Sequence, residues 1–281
     1  MLVYSIKMQL SELFRKKTVA FTFFILLFFV LANFYQNMFH NLYQNEEVKY
    51  ISQMYDPIKL LTLSDWSTIG YFMMEYYPLL VVVPTACAYL TDKKTRIKTY
   101  IVARTGCKNY WYGKVISVFL ITFFIFTVPF FIELLLECIC FDMQSAGEPS
   151  NIDFIQTIER ENLYFLYQIG VPHKIIYAVL LTVLFGIVSG ILAVFNFAVS
   201  TLPFFKYKIF TFFPVYILFY LLSVLEKGFG LGYTLNYYFI LRMFNVPAMK
   251  YNFSAYFIFL IILLFISLVF IKIKTIRDDL I

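Results

Sequence analysis

The chain has 281 residues, 61% of them hydrophobic and 14% charged, and 35 Phe, 23 Tyr and 2 Trp bring the aromatic content to 21%. A water-soluble domain carries about 25% charged and about 45–50% apolar residues, so a soluble globule is excluded and the natural unit of organisation becomes a membrane span of about 20 apolar residues. The formal net charge is +6, which has no meaning until it is located along the chain.

Residues 1–17 are amphipathic rather than spanning. Leu2, Ile6, Leu10, Leu13 and Phe14 recur at helical spacing, while Lys7, Gln9, Glu12, Lys16 and Lys17 fill much of the remainder. This pattern predicts an interfacial elbow helix against the anionic headgroups of membrane lipids. No small cleavage-site residues follow the first apolar run, so the N-terminus is expected to be retained. Six apolar runs then reach spanning length, at 18–39, 68–90, 115–136, 175–200, 209–225 and 253–273. As helices they satisfy their own backbone hydrogen bonds, which lipid cannot do.

The second run holds Pro78 and Pro84, the third Pro129 and the fifth Pro214. Each removes a backbone donor and is expected to kink its helix, either as a tolerated feature or to shape a cavity. Glu75 lies about two turns into the second run beside Tyr76 and Tyr77, and Glu133 lies near the outer end of the third, one turn before Glu137. Ionisable groups at membrane depth are functional candidates unless they reach water. The fourth run carries Gly186 and Gly190 at GxxxG spacing beside Ser189 and Ala193, a small-residue face for another helix of this chain or of a second copy. Asn196, Tyr216 and Tyr220 add polar and aromatic groups to the fourth and fifth runs.

Between the second and third runs lies 91–114, TDKKTRIKTYIVARTGCKNYWYGK, with seven basic residues and Asp92. It serves equally as an orientation signal or a lipid patch. Within it, however, Ile97, Tyr100, Ile101 and Arg104 recur at helical spacing before Thr105-Gly106 and a Tyr110-Trp111-Tyr112 cluster. That is a short helix with an apolar face, suited to a cytoplasmic partner. The connections 40–67, 137–174 and 226–252 are long, and the last is interrupted by Gly228, Gly230 and Gly232.

Lys and Arg flanking short loops stay cytoplasmic. With both termini inside, the inner segments hold 16 of the 23 basic residues and only Glu12, Asp92, Asp278 and Asp279 of the 17 acidic ones. The net +6 therefore reports orientation and gives no reason to expect nucleic acid.

Six spans with both ends inside, an elbow helix, and the run from Asp92 through Arg104-Thr-Gly-Cys-Lys-Asn-Tyr-Trp-Tyr-Gly-Lys114 into the third span resemble the permease subunits of bacterial ABC-2 type transporters. The resemblance spans the chain as topology, and its residue-level content lies in that loop. It implies an all-α membrane protein whose 91–114 loop is a coupling segment for a cytoplasmic ABC ATPase dimer, carried by Asp92, Arg96, Ile97, Tyr100, Ile101, Arg104, Lys108, Tyr110 and Lys114. It further implies a second permease copy, identical or homologous, a re-entrant outer segment between the fifth and sixth spans, and a location in the bacterial plasma membrane. Glu75, Tyr76, Tyr77, Glu133, Asn196, Tyr216 and Tyr220 become candidates for the substrate pathway, and their aromatic character favours an exported amphipathic, peptide or lipid-like cargo. The acidic 137–174 connection is longer than is common in that family.

Catalytic signatures are missing from the sequence. Gly106 to Val115 has the wrong glycine spacing for a P-loop, and Lys114 is followed by Val115 rather than Ser or Thr. ATP and Mg²⁺ are therefore expected on the partner subunit, and no cofactor on this chain. His40 and His173 form no HExxH motif, and Cys87, Cys107, Cys138 and Cys140 form no CxxC pair. Glu46-Glu47 lacks the arginine of an EExxxR motif, since position 51 is Ile. No catalytic or metal residue is expected. The rival reading is a non-transporting sensor, whose acidic outer loops bind a partner and whose basic inner loop reports to a soluble factor.

Overall fold

In lipid a backbone must close its own hydrogen bonds, and the computed structural model of the protein is accordingly helical. The structure describes residues 1–44, 55–95, 97–143, 145, 165–170, 172–205, 207–229, 235–245 and 253–279. In chain order the helices are α1 Leu2–Phe14, α2 Lys17–Gln44, α3 Pro57–Leu60, α4 Thr68–Val82, α5 Ala88–Lys94, α6 Ile97–Thr105, α7 Cys107–Cys140, α8 Tyr167–Gly170, α9 Lys174–Ser200, α10 Pro214–Phe229, α11 Tyr237–Ile240 and α12 Phe253–Asp279. Among the described residues, strand pairing is limited to one isolated bridge, Ser64 to Met243.

Among the described residues, four helices are long and apolar enough to cross a membrane: Lys17–Phe39, Cys107–Cys140, Lys174–Ser200 and Ser254–Asp278. The predicted second and fifth spans take a different form. Around Pro84, residues 83–87 leave the α-helix, so 68–90 divides into α4 and the start of α5. The missing N–H and the ring of a proline explain such a break. In the fifth run a 3₁₀ turn, Lys208–Phe212, precedes α10. Pro214 is the first residue of α10, where its missing donor has no helical partner to lose, so it starts the helix instead of kinking it. Pro78 and Pro129 do lie inside α4 and α7.

The core is built on α7, which packs most extensively against α9. Gly186 and Gly190 permit this approach: a Cβ at Gly186 would fall 2.0 Å from Thr127 Oγ1, and one at Gly190 would fall 2.7 Å from the Phe119 ring. The small-residue face is thus filled from within the chain. Around it, Tyr77 of α4 meets Phe185 at 5.1 Å and Phe126 at 5.9 Å, and Phe130 meets Phe185 edge-on at 5.1 Å. By contrast, Phe21, Phe24 and Phe28 of α2 and Ile258, Ile261 and Phe265 of α12 are exposed, leaving apolar outer faces of the kind lipid covers.

The N-terminal helix α1, expected to be an interfacial elbow, departs from expectation in its facing. Ser5, Gln9 and Leu13 of α1 are buried, while Met1, Val3, Tyr4 and Phe14 are exposed. Its polar stripe therefore docks on α7, and several apolar residues turn outward. Gly113 makes room, since a Cβ there would sit 2.7 Å from Ser5 Oγ.

At the opposite end, residues 61–67 and 235–245 are stitched together. The Met243 amide donates to Leu63 O at 2.7 Å and the Asp65 amide to Met243 O at 2.9 Å. Ile240, Leu241 and Met243 are buried there. Much of the predicted outer connections, including Glu46, Glu47, 146–164, Gly230 and Gly232, lies outside the described residues.

Candidate functional site

The segment predicted to meet a cytoplasmic partner forms α5, α6 and the first turns of α7. Gly106, at φ +83°, separates α6 from α7. The left-handed value suits glycine and lets a short helix turn directly into a long one. Ile101 and Thr105 are buried, Ile97 is half-buried, and Tyr100 and Arg104 are exposed. The Arg104 guanidinium lies 4.2 Å from the centroid of the Tyr100 ring, close enough for a cation–π contact. Lys93, Lys94 and Lys108 are also exposed, so this end presents positive charge around an aromatic ring. Arg96 lies outside the described residues.

Asp92, Tyr110 and Lys114, predicted in the same set, are instead fully buried behind that surface. Lys114 Nζ is 2.7 Å from Asp92 and 3.0 Å from Glu12, and Lys16 Nζ is 2.8 Å from Glu12 and 3.7 Å from Asp92. The Tyr110 hydroxyl donates to Asp92 at 2.9 Å, and Gln9 Nε2 donates to Tyr110 O at 3.0 Å. Two acids and two bases thus join α1, α5 and α7. Burial works against the ionised form of Glu12, but Lys114 and Lys16 outweigh it and hold the carboxyl below its usual value. A second tie reaches the C-terminal helix: Lys98 Nζ lies 2.6 Å from Asp278, and Trp111 Nε1 donates to the same oxygen at 3.1 Å. Sequence reading missed Gln9, Glu12, Lys16 and Asp278 as parts of the junction. The available signal was Ser5, Gln9, Glu12 and Lys16 at three-to-four-residue spacing, a polar stripe that needs polar company.

The predicted pathway residues divide into two sets. Tyr77, Glu133 and Asn196 are buried within the chain. The Tyr77 and Ser189 hydroxyls share a hydrogen bond at 2.9 Å, and Asn196 Nδ2 donates to Thr211 O at 3.0 Å. Glu133 Oε1 accepts from Asn33 Nδ2 at 2.9 Å, from the Thr62 amide at 2.8 Å and from Thr62 Oγ1 at 2.6 Å. Asn33 Nδ2 also donates to Leu60 O at 2.8 Å, and Ser67 Oγ donates to Asn33 Oδ1 at 2.7 Å. Glu133 is therefore a clasp between α7, α2 and the loop that precedes α4. Next to this loop Arg242, 2% exposed, pairs with Asp65 at 3.1 Å, donates to Ser64 O at 2.8 Å and contacts the Tyr238 hydroxyl at 2.5 Å. Burial raises the Asp65 carboxyl, with Arg242 acting in the opposite direction.

Glu75, Tyr76, Tyr216 and Tyr220 form the other set, all exposed on α4 and α10, which pack together. Tyr71 is exposed one turn before Glu75, and Tyr237 lies within electrostatic reach of both Glu75 and Tyr216. Tyr237 also reaches into the core, donating to Met74 O at 3.1 Å and packing on Tyr77 at 5.2 Å and Phe219 at 4.5 Å. A cavity of about 60 Å³ bounded by Phe219, Ser223, Glu226, Asn236 and Tyr237 lies behind this face. Among the described residues, no group of three or more His, Cys, Asp or Glu side chains is placed to hold a metal. Compared with models of protein families, with curated proteins and with solved structures, the chain matches none.

Proposed function

We propose that this chain is the permease subunit of an ATP-driven ABC-2 type transporter in a bacterial plasma membrane. In this reading it has six spans and cytoplasmic termini, pairs with a second permease copy, and exports an amphipathic, peptide or lipid-like cargo. ATP and Mg²⁺ belong to a separate cytoplasmic ATPase dimer. The observation that carries the reading is α6, a nine-residue helix held between α5 and α7 with Tyr100 and Arg104 exposed and stacked. Four helices of spanning length and composition support the membrane location, and α4 with α5, and α10 with the turn before it, supply the remaining two crossings.

A push on α6 has three routes into the membrane. It reaches α7 through Gly106, α12 through the Lys98–Asp278 pair, and α1 through the buried junction at Lys114. Rigid helices joined by short, well-packed contacts transmit such a displacement without large internal deformation. ATPase closure would thereby move the helices that flank the cargo path.

The test is to express the full chain together with its gene neighbours and to assay whether a P-loop ATPase co-purifies with it. Arg104→Glu together with Tyr100→Ala leaves the buried junction untouched and is expected to abolish association. Undiminished association of the double variant overturns the assignment of α6 as the coupling surface.

A further inference from the structure

Glu75 lies seven residues beyond Thr68, the first residue of α4, or about 10 Å along the axis at 1.5 Å per residue. If that end marks the interface, the carboxylate is at hydrocarbon depth, where ionised groups face a water-filled cavity or a partner and not lipid. It is exposed, and among the residues whose side chains the structure describes no cation pairs with it. Arg242, across the Tyr71 ring, is committed to Asp65 and to backbone carbonyls. The exposed side chains of the two packed helices are instead rich in tyrosine: Tyr71, one turn before Glu75, and Tyr76 on α4, and Tyr216 and Tyr220 on α10. A two-fold pair of copies facing each other would present this patch twice, with two carboxylates repelling across the gap unless a cation lies between them. Tyrosine faces attract the same kind of ligand through their ring quadrupoles, and their bodies contact apolar chains.

We propose, on the transporter reading above, that the face of α4 and α10 centred on Glu75 is the cargo site, and that its ligand is a cationic amphiphile. The positive group sits against Glu75 and the tyrosine rings, and the apolar part lies along Phe72, Leu79 and Leu221, which are exposed on the same two helices.

The experiment uses the full chain in lipid nanodiscs and a pair of probes of matched shape and opposite charge, tetraphenylphosphonium and tetraphenylborate. Uptake is measured by equilibrium dialysis in excess over protein-free nanodiscs. Saturable binding of the cation alone is expected, weakened about tenfold or more in Glu75→Gln, as for loss of a charge-assisted contact, and retained in Glu75→Asp. Tyr220→Leu is expected to weaken binding about threefold and Tyr220→Phe to leave it near the wild-type value, because the ring supplies the attraction. The tyrosine pair also decides the matter if Glu75→Gln fails to fold.

Equal binding of both probes, or of the cation to wild type and Glu75→Gln, overturns the proposal. So does a Glu75→Gln variant that separates the two copies without losing cation binding, since Glu75 is then a subunit contact. The ATPase association test reads independently. Lost cation binding with intact ATPase association refutes the cargo class alone, whereas intact cation binding in a chain that associates with no ATPase refutes the transporter reading alone.

Discussion

Replacing Lys114 by Met tests the buried junction most directly. Met keeps the length and apolar stem of the side chain and removes the ammonium that sits 2.7 Å from Asp92 and 3.0 Å from Glu12. Asp92 would then remain fully buried with Lys16, 3.7 Å away, as its remaining cation. Breaking one partner out of a buried ion pair costs about 3–5 kcal/mol, equivalent to roughly a 10²- to 10⁴-fold change in the unfolding constant. The double variant Asp92→Asn/Lys114→Met removes both charges and leaves the Glu12–Lys16 pair, one helical turn apart at 2.8 Å. Its loss is expected to fall short of the sum of the single losses by about 2 kcal/mol, within the range for side chains in direct contact.

The assay is detergent-induced unfolding in mixed micelles, followed by helicity and by the fluorescence of Trp111, which is buried beside the junction. Its acid limb adds an independent reading. The Glu12 carboxyl is held below its usual 4.5 by the two lysines in spite of burial. Its contribution is therefore complete above about pH 4.5 and is lost as pH falls through the depressed folded value. Lys114→Met should flatten this loss. A single variant within about 1 kcal/mol of wild type, or a double variant equal to the sum of the singles, would falsify the junction as described.

Gly186→Leu should lower the melting temperature more than Gly190→Ala, because the first meets Thr127 Oγ1 at 2.0 Å and the second meets the edge of a ring that can shift. A cost of about 1–3 kcal/mol is expected for the leucine, and wild-type melting with loss of a dimer would assign this face to oligomer contact instead. Asn33→Leu removes donors to Glu133 and Leu60 O and the acceptor of Ser67 Oγ. With about 1–3 kcal/mol at stake for each stranded buried group, amide hydrogen exchange across 61–67 should accelerate at least tenfold, while exchange in α6 stays unchanged. Exchange rising equally at both ends would mean that the clasp is not a local unit.

Apolar run length located the helical segments well, because one property, the cost of an unpaired backbone group in lipid, decides both. It located their continuity less well. Runs 68–90 and 209–225 are both predominantly apolar, yet Pro84 and Pro214 divide or begin helices there, and composition does not say whether a proline in an apolar run lies inside a helix or at its first turn. Pro78 and Pro129 fall inside helices, and Pro214 opens one.

Helix α1 shows why patterning alone also misplaces side chains. Hydrophobic periodicity assigns the face of α1 bearing Leu2, Leu10 and Phe14 to one solvent and the polar remainder to another. It takes no account of a third environment, the polar groove on α7 made by Tyr110, Gly113, Lys114 and Ser117. Gln9 and Glu12 find their partners there, and Ser117 Oγ donates to Ile6 O at 3.3 Å. Once those polar groups are taken inward, the exposed residues of 1–17 are mainly Met1, Leu2, Val3, Tyr4 and Phe14 with Lys7, Arg15 and Lys17, a set suited to an anionic lipid surface. The same accounting divides the 91–114 loop. Of its described candidate residues, Asp92, Ile101, Tyr110 and Lys114 are buried, so on the transporter reading a partner protein would meet Tyr100, Arg104 and the flanking lysines rather than these four. The buried half would set the stiffness with which a push on the exposed half reaches α1 and α7. Substitutions in the two halves should therefore separate, exposed ones weakening partner association and buried ones weakening the coupling of an association that still forms.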